Sequence, residues 1–185
     1  MPRRGFMGLA AVGAASSDDP ISGFLWYAYL NTVVPPMNNV HCRMAIECAA
    51  NKTNLQTAYG GQYAGGAIAA TVSPPNVVGH KAFDLYEATT KPQGDVAAAK
   101  NQPKLCGQPN GFSTGIAYRG DRPKEVAAAT ALQQALSQVG IKTSLHGYPS
   151  GTYYAKSLLY RSPQLTNVFV QSYYGMYNYS TLGLK

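Results

Sequence analysis

GDRPKEVAAATALQQALSQVGIKTSLHGY, residues 120–148, is the stretch whose reading decides the fold class. Wound as a helix, it puts Ala128, Ala129, Leu132, Ala135, Leu136 and Val139 on one face and Thr130, Gln133, Gln134, Ser137 and Gln138 on the other. Asp121 marks the start, because its carboxylate is expected to accept from the unpaired N–H groups of the first turn. Pro123 fits there because its missing donor would have no partner anyway. Gly140 marks the end, as a residue able to take the left-handed conformation that closes a helix. On the N-terminal side STGIAYR (113–119) reads as a strand. On the C-terminal side IKTSLHGY (141–148) alternates Ile141, Thr143 and Leu145 against Lys142, Ser144 and His146. Strand, helix and strand of these lengths predict a right-handed parallel βαβ crossover, and hence an α/β fold.

Further out, FLWYAYLNTVV (24–34) reads as an aromatic strand ended by Pro35 and Pro36. Residues 38–61 read as one helix capped at Asn38 or Asn39, with Val40, Met44 and Cys48 on one stripe and Ile46 opposite, so the helix is expected to be covered on more than one side. Arg43 and Glu47 are spaced there to meet at i,i+4. GGQYAGGAIAATVSPPNVVG (60–79) is too rich in Gly and Pro for regular structure and is expected to be a long loop. The stretch from Gly94 starts as a helix at Asp95, and Pro103 should break it in its third turn. After Lys156 the character changes: residues 153–185 hold seven tyrosines and no acid. LTNVFVQSYY there is compatible with a strand, although nothing caps or frames it. The organisation expected is a signal-like or disordered start over 1–22, one lobe over 23–156 and a Tyr-rich tail over 157–185.

At 185 residues the chain suffices for one domain. Its net charge of +7 raises nucleic acid as a partner, but the basic residues are scattered, with no run of five and no aromatic–basic module, so that class is set aside. All eight acids lie at or before Glu125. The start, MPRRGFMGLAAVGAASSDDP, has the order of an export signal, with Arg3 and Arg4, an apolar run and then small residues; a disordered start is the alternative. If the chain is exported, Cys42 and Cys106 are the preferred disulfide partners, since each lies in a segment read as helical, and Cys48 is left as a small buried hydrophobe. The cysteine spacings match no compact zinc site, and His41, His80 and His146 lie too far apart in sequence for ligand spacing; no metal and no cofactor is expected.

Nothing in the sequence frames a catalytic centre. No G-x-S-x-G elbow occurs, and YGGQYAGGA lacks the GK[ST] ending of a phosphate cradle. Asp121 and Glu125 are both accounted for by the helix start. One place has a structural reason to meet a ligand. The turn Tyr118-Arg119-Gly120-Asp121-Arg122 follows a strand expected to be parallel and precedes a helix N-terminus favourable to anions, so Tyr118, Arg119 and Arg122 are the candidate solute contacts. The competing reading is that both arginines are merely solvated and Asp121 only a cap.

With these segments placed, the order of motifs resembles domain III of the family 5 extracellular solute-binding proteins, the oligopeptide- and dipeptide-binding receptors of ABC importers, particularly actinobacterial ones. The stretches that carry the resemblance are NTVVPPMNNVHCRMAIECAANKTNLQTAYGG, FDLYEATTKPQGDVAAAK and CGQPNGFSTGIAYRGDRPKEVAAATALQQALSQVGIKTSLHGYPSGTYYA, within residues 23–156. The resemblance implies an incomplete lobe of a type II periplasmic-binding-protein-like fold. It further implies capture of a peptide or similar solute outside the cytoplasm and delivery to an ABC permease in the membrane. Family members are more than twice this length and carry a second lobe. After the TYY-like helix they also have an acidic residue for a peptide's ammonium group, where this chain offers no acid beyond Glu125. A truncated receptor that binds weakly by itself is therefore expected. The rival expectation is a structural or interaction module that works through the basic, Tyr-rich tail.

Overall fold

The computed structural model describes residues 25–73, 75, 77–157 and 167–173. The signal-like start at 1–22 lies outside them, as does much of the segment read as a tail.

Among the described residues four strands form one sheet in the order β1-β4-β2-β3: β1 (Leu25–Leu30), β2 (Ser113–Arg119), β3 (Lys142–Tyr148) and β4 (Asn167–Tyr173). β2 and β3 are parallel, joined through helix α5 (Pro123–Ser137), with Ile116 opposite Leu145 and Ala117 opposite His146. This is the crossover expected from residues 113–148. β4 runs parallel to β2 and antiparallel to β1. Part of the segment read as a tail is thus an interior strand of the sheet, between the first strand of the chain and β2.

Adjacent residues of β2 serve opposite faces. Ile116 belongs to the main core with Leu132 and Leu136 of α5, whereas Ala117 packs with Tyr153 of helix α6 (Ser150–Ser157), Tyr29 and Tyr148. Burial on both faces suits a strand made of small and β-branched residues, and Thr114 to Ala117 are all buried. Gly140 has φ 81°, and the Ile141 N–H donates to Leu136 O at 3.1 Å, so α5 closes as its sequence indicates.

The long helix expected over 38–61 is instead two, α1 (Val40–Ala49) and α2 (Lys52–Ala58), because Asn51 is itself a cap whose Oδ1 accepts from Asn54 N at 2.9 Å. Asn39 caps α1 by accepting from His41 N at 2.9 Å. The buried stripe of α1 is Cys42, Ala45, Ile46 and Ala49, with Met44 and Cys48 half-buried and Val40 half exposed, so cover extends over more than one side of the helix. Arg43 reaches Met37 O at 2.6 Å, and Glu47 pairs with Lys52 at 3.0 Å rather than with Arg43. A short helix α3 (Gly61–Ala64) interrupts the segment read as loop.

Helix α4 (Val96–Leu105), capped by Asp95 through Ala98 N, continues past Pro103. Pro103 sits only two residues from the helix end, where its ring is buried and few hydrogen bonds remain to be lost. α1 and α4 lie side by side, joined by a Cys42–Cys106 disulfide with Cα atoms 5.6 Å apart. Cys48 keeps its thiol and is half-buried rather than buried, and burial together with Glu47 and Asp95 pushes that thiol up from its ordinary value.

Candidate functional site

The turn after β2 lies at the carboxyl end of the parallel strands. The Gly120 N–H donates to Tyr148 O at 2.8 Å, which ties the turn to the end of β3. The three side chains singled out on sequence take different places. Tyr118 is half-buried, packed on the main core, with its ring over Gly147, where an added Cβ would stand 3.3 Å from it. Arg119 is drawn back under the turn: Glu125 Oε1 accepts from its Nε at 2.8 Å and from a second guanidinium nitrogen, and Glu125 Oε2 accepts from its backbone N–H at 3.0 Å. The Arg119 side chain is 13% exposed and that of Glu125 2%. The hydrogen bonds to Glu125 raise the Arg119 guanidinium above its ordinary value against the cost of burial. Arg122 is exposed, with Nε 3.4 Å from Ser150 Oγ.

Asp121 does not cap α5. The N-cap is Arg122, in an extended conformation with φ −115° and ψ 101°, and its side chain makes no capping hydrogen bond. One residue further back, the Asp121 carboxylate instead turns to α6 and accepts from Ser150 Oγ at 2.7 Å. That hydroxyl first, with help from the Ser150 backbone N–H and Arg122, holds the carboxyl below the usual carboxylate range. Neither is Glu125 merely a helix-start residue. It falls on the apolar stripe, at the spacing 125, 128, 129, 132, and that position was the available signal that its side chain turns inward.

The turn expected to favour anions is therefore electrically balanced. Arg119 faces Glu125, and Asp121 and Arg122 meet at one hydroxyl. Close by, Tyr59 at the end of α2 stacks on Trp26 of β1 with ring centroids 4.2 Å apart. The Tyr59 hydroxyl is buried and has no hydrogen-bond partner among the described residues. Burial, then the charge of Glu125, push its ionisation well above the ordinary value although Arg119 opposes them, so the phenol stays a donor. Sequence reading passed over this aromatic pair, because Trp26 and Tyr59 lie on different elements and no spacing links them.

The histidines are paired locally: His41 Nδ1 with Gln102 Oε1 at 2.9 Å, His80 Nδ1 with Ser73 O at 2.7 Å, and His146 Nε2 with Ser144 Oγ at 2.9 Å. Among the described residues no group of three His, Cys, Asp or Glu is placed to hold a metal. None of their helices is long and apolar enough to cross a membrane. An open groove of about 440 Å³ lies elsewhere, lined by Gln56, Gln62, Ala67, Ile68, Thr89 and Pro92, and includes none of the turn residues.

The family model described as bacterial extracellular solute-binding proteins, family 5 middle, matches residues 10–181. The fold is similar to that of the clavulanic acid biosynthesis oligopeptide binding protein 2, at 31% identity and a TM-score of 0.71, over 82% of this chain and 28% of that one. It is also similar to the ABC transporter-associated periplasmic binding protein DppA of Helicobacter pylori in complex with the peptide STSA, at 22% identity and TM-score 0.65, over 82% of this chain and 27% of that one. A third is the dipeptide binding protein of Pseudoalteromonas sp. SM9913 in complex with Met-Leu, at 21% identity and TM-score 0.65, over 81% of this chain and 28% of that one. No curated protein sequence matches the chain. The chain thus spans less than a third of the length of each of these structures. A family match reaching residue 181 agrees with a sheet whose interior strand comes from residues 167–173. The chain belongs to the family 5 bacterial extracellular solute-binding proteins.

Proposed function

We propose that this chain is the substrate-binding component of an ABC importer, or one lobe of it, which takes a peptide or related solute outside the cytoplasm and presents it to a membrane permease. The observation that carries the reading is the exposed edge made by Asp121, Arg122 and Ser150 at the carboxyl end of β2 and β3, in a chain of this family. Ligands of α/β sheets meet them beyond the carboxyl ends of the strands. Arg122 is the contact for a solute carboxylate or carbonyl, and Asp121 faces a donor. Arg119 acts indirectly, by holding the turn through Glu125. Tyr118 supports the turn from the core side.

One lobe encloses a solute on one side only, and the turn's charges already satisfy one another, so binding by the 185-residue chain alone is weak. Calorimetric titration with a mixed library of di- to pentapeptides tests this. The expected result is no affinity tighter than about 100 μM, with residual shifts of the Arg122 and Ser150 signals in NMR spectra at millimolar peptide. A Kd of about 1 μM or better would refute weak autonomous binding. Unmoved Arg122 and Ser150 signals at saturating peptide would refute the turn as the contact.

A further inference from the structure

β3 ends the sheet on one side, and among the described residues no strand pairs with its outer edge. The Lys142 N–H donates to Phe112 O at 2.9 Å, and Tyr148 O accepts from Gly120 N at 2.8 Å. Lys142, Ser144, His146 and Tyr148 therefore turn their backbone groups toward β2, and those of Thr143, Leu145 and Gly147 point outward. Gln133 of α5 marks that outer edge, its Nε2 donating to Thr143 O at 2.8 Å. Edge strands are ordinarily guarded by charges, proline or a bulge. β3 keeps an unbroken register with β2 from Lys142 to Tyr148, holds no proline and, apart from His146, has Lys142 as its one basic residue. The flank of α5 above the edge is uncharged too. Thr130, Gln133 and Ser137 share it at helical spacing, and no residue from Val126 to Ile141 carries a charge. Interface cores are depleted of charge in the same way.

An antiparallel copy of β3 fits this edge when the two-fold axis falls on Leu145. Leu145 then faces Leu145 of the second copy and Thr143 faces Gly147, and each facing pair exchanges both backbone hydrogen bonds. Thr143 O has a second lone pair for this beside the one that Gln133 uses. Ser144 stands opposite His146 and Lys142 opposite Tyr148, so no like charges meet. The two Lys142 side chains are then ~20 Å apart along the seam, beyond the ~8 Å over which exposed charges act at physiological ionic strength. The same screening limits the repulsion from the net charge of +7. Neighbouring registers fit less well. An axis on Thr143 sets the two Lys142 side chains diagonally across the seam, and one on Gly147 needs an N–H that Pro149 lacks.

We propose that β3 is a self-association edge, through which two copies of this chain pair antiparallel about Leu145 and continue one sheet across the seam. Solute binding plays no part in it, so it stands or falls separately from the receptor reading. Sedimentation of the 185-residue chain from ~2 to ~200 μM tests it, and the mass should rise from 19.7 kDa toward twice that value. Ser144 is exposed, and Ser144→Lys or Ser144→Glu sets like charges diagonally across the axis. Each should weaken dimerisation at least ~5-fold. An equimolar mixture of the two, in which Lys meets Glu, should recover to within ~2-fold of the parent. In the parent the Leu145 and Gly147 amides should exchange with solvent at least ~10-fold more slowly at the highest concentration than at the lowest. That measurement decides the matter if either variant loses the parent's circular dichroism spectrum. A parent that stays at 19.7 kDa throughout, including one whose β3 amides respond only to added peptide, would overturn the proposal. So would a dimer that both substitutions leave unchanged, a mixture no tighter than either variant alone, or amide exchange independent of concentration.

Discussion

Replacing Glu125 with Ala is the most direct test of how the β2–α5 turn is held. The substitution removes the acceptor of three donors from one residue, the Arg119 backbone N–H, its Nε and a second guanidinium nitrogen. It leaves a guanidinium only 13% exposed without its anion. Removing one partner of a buried pair costs about 3–5 kcal/mol, because the remaining charge stays desolvated. An exposed pair would cost at most about 1 kcal/mol. At about 2–4 °C per kcal/mol for a chain of this size, Tm should fall by about 6–20 °C in calorimetry or in a circular dichroism melt. Glu125→Gln keeps an acceptor oxygen and the side-chain volume but loses the charge, and should fall between the parent and Glu125→Ala. The Arg122 signals, adjacent to the turn, should broaden or shift in both variants. A loss below about 1 kcal/mol for Glu125→Ala would refute the claim that this pair, rather than helix capping, fixes the turn.

Further outcomes are expected from the disulfide, from pH, from Gly111 and from β4. Cys42→Ala with Cys106→Ala opens a covalent loop of sequence separation 64, which should cost about 4 kcal/mol and lower Tm by about 8–16 °C; thiol titration of the oxidised parent should find Cys48 as the reacting cysteine, with three after reduction in denaturant. Asp84, Asp95 and Asp121 are held below their ordinary 3.8, by hydrogen bonds from Thr89, from Ala98 and from Ser150 respectively. The stability they contribute is complete above that value and lost as pH falls through their lower folded values, so Tm should be level above about pH 5 and decline below about pH 4. Burial of Tyr59 and Tyr153 raises their phenols above the ordinary 10.0, a contribution lost as the unfolded phenols ionise, so a second decline should begin near that pH. Gly111→Ala should lower stability by about 3 kcal/mol or more, because at φ +82° its Cβ would lie 2.0 Å from Gly140 O; a melt within 2 °C of the parent would contradict the geometry. Deleting residues 157–185 removes β4 from between β1 and β2, and should abolish the cooperative melt rather than merely trim a surface; an unchanged melt would mean that the strand contributes nothing to the sheet.

The βαβ unit was legible because each of its signals is local: the apolar stripe, the proline and glycine at its ends, and the alternation of the strands all fall within residues 113–148. Asn51 was read as helix interior because its neighbours are helical formers, and only the tertiary arrangement exposes it as a cap. Pro103 reads as a breaker by itself, yet Gly107, left-handed at φ 76°, marks the helix end close behind it, and the Gln108 N–H donates to Pro103 O at 2.8 Å. The candidate site was legible only in part. Its place at the end of β2 follows from topology, but the roles within it depend on partners distant in sequence: Ser150, which takes Asp121 away from α5, and Glu125, whose inward aim was written in the stripe yet hidden by the expectation that an acid near a helix start serves the helix. The aromatic pair Trp26 and Tyr59 had no sequence signal.

The interleaved strand order also shapes how the chain assembles as it is made. β2, α5 and β3 are complete within 36 residues and can dock as they leave the ribosome. β1 emerges first and has no neighbour in the sheet until β4 appears, with Leu25 paired to Tyr173. At ordinary translation rates that wait is about 7–30 s. For that interval Leu25, Trp26, Tyr27, Tyr29 and Leu30 form an unpaired aromatic strand, the kind of segment that chaperones and secretion factors engage.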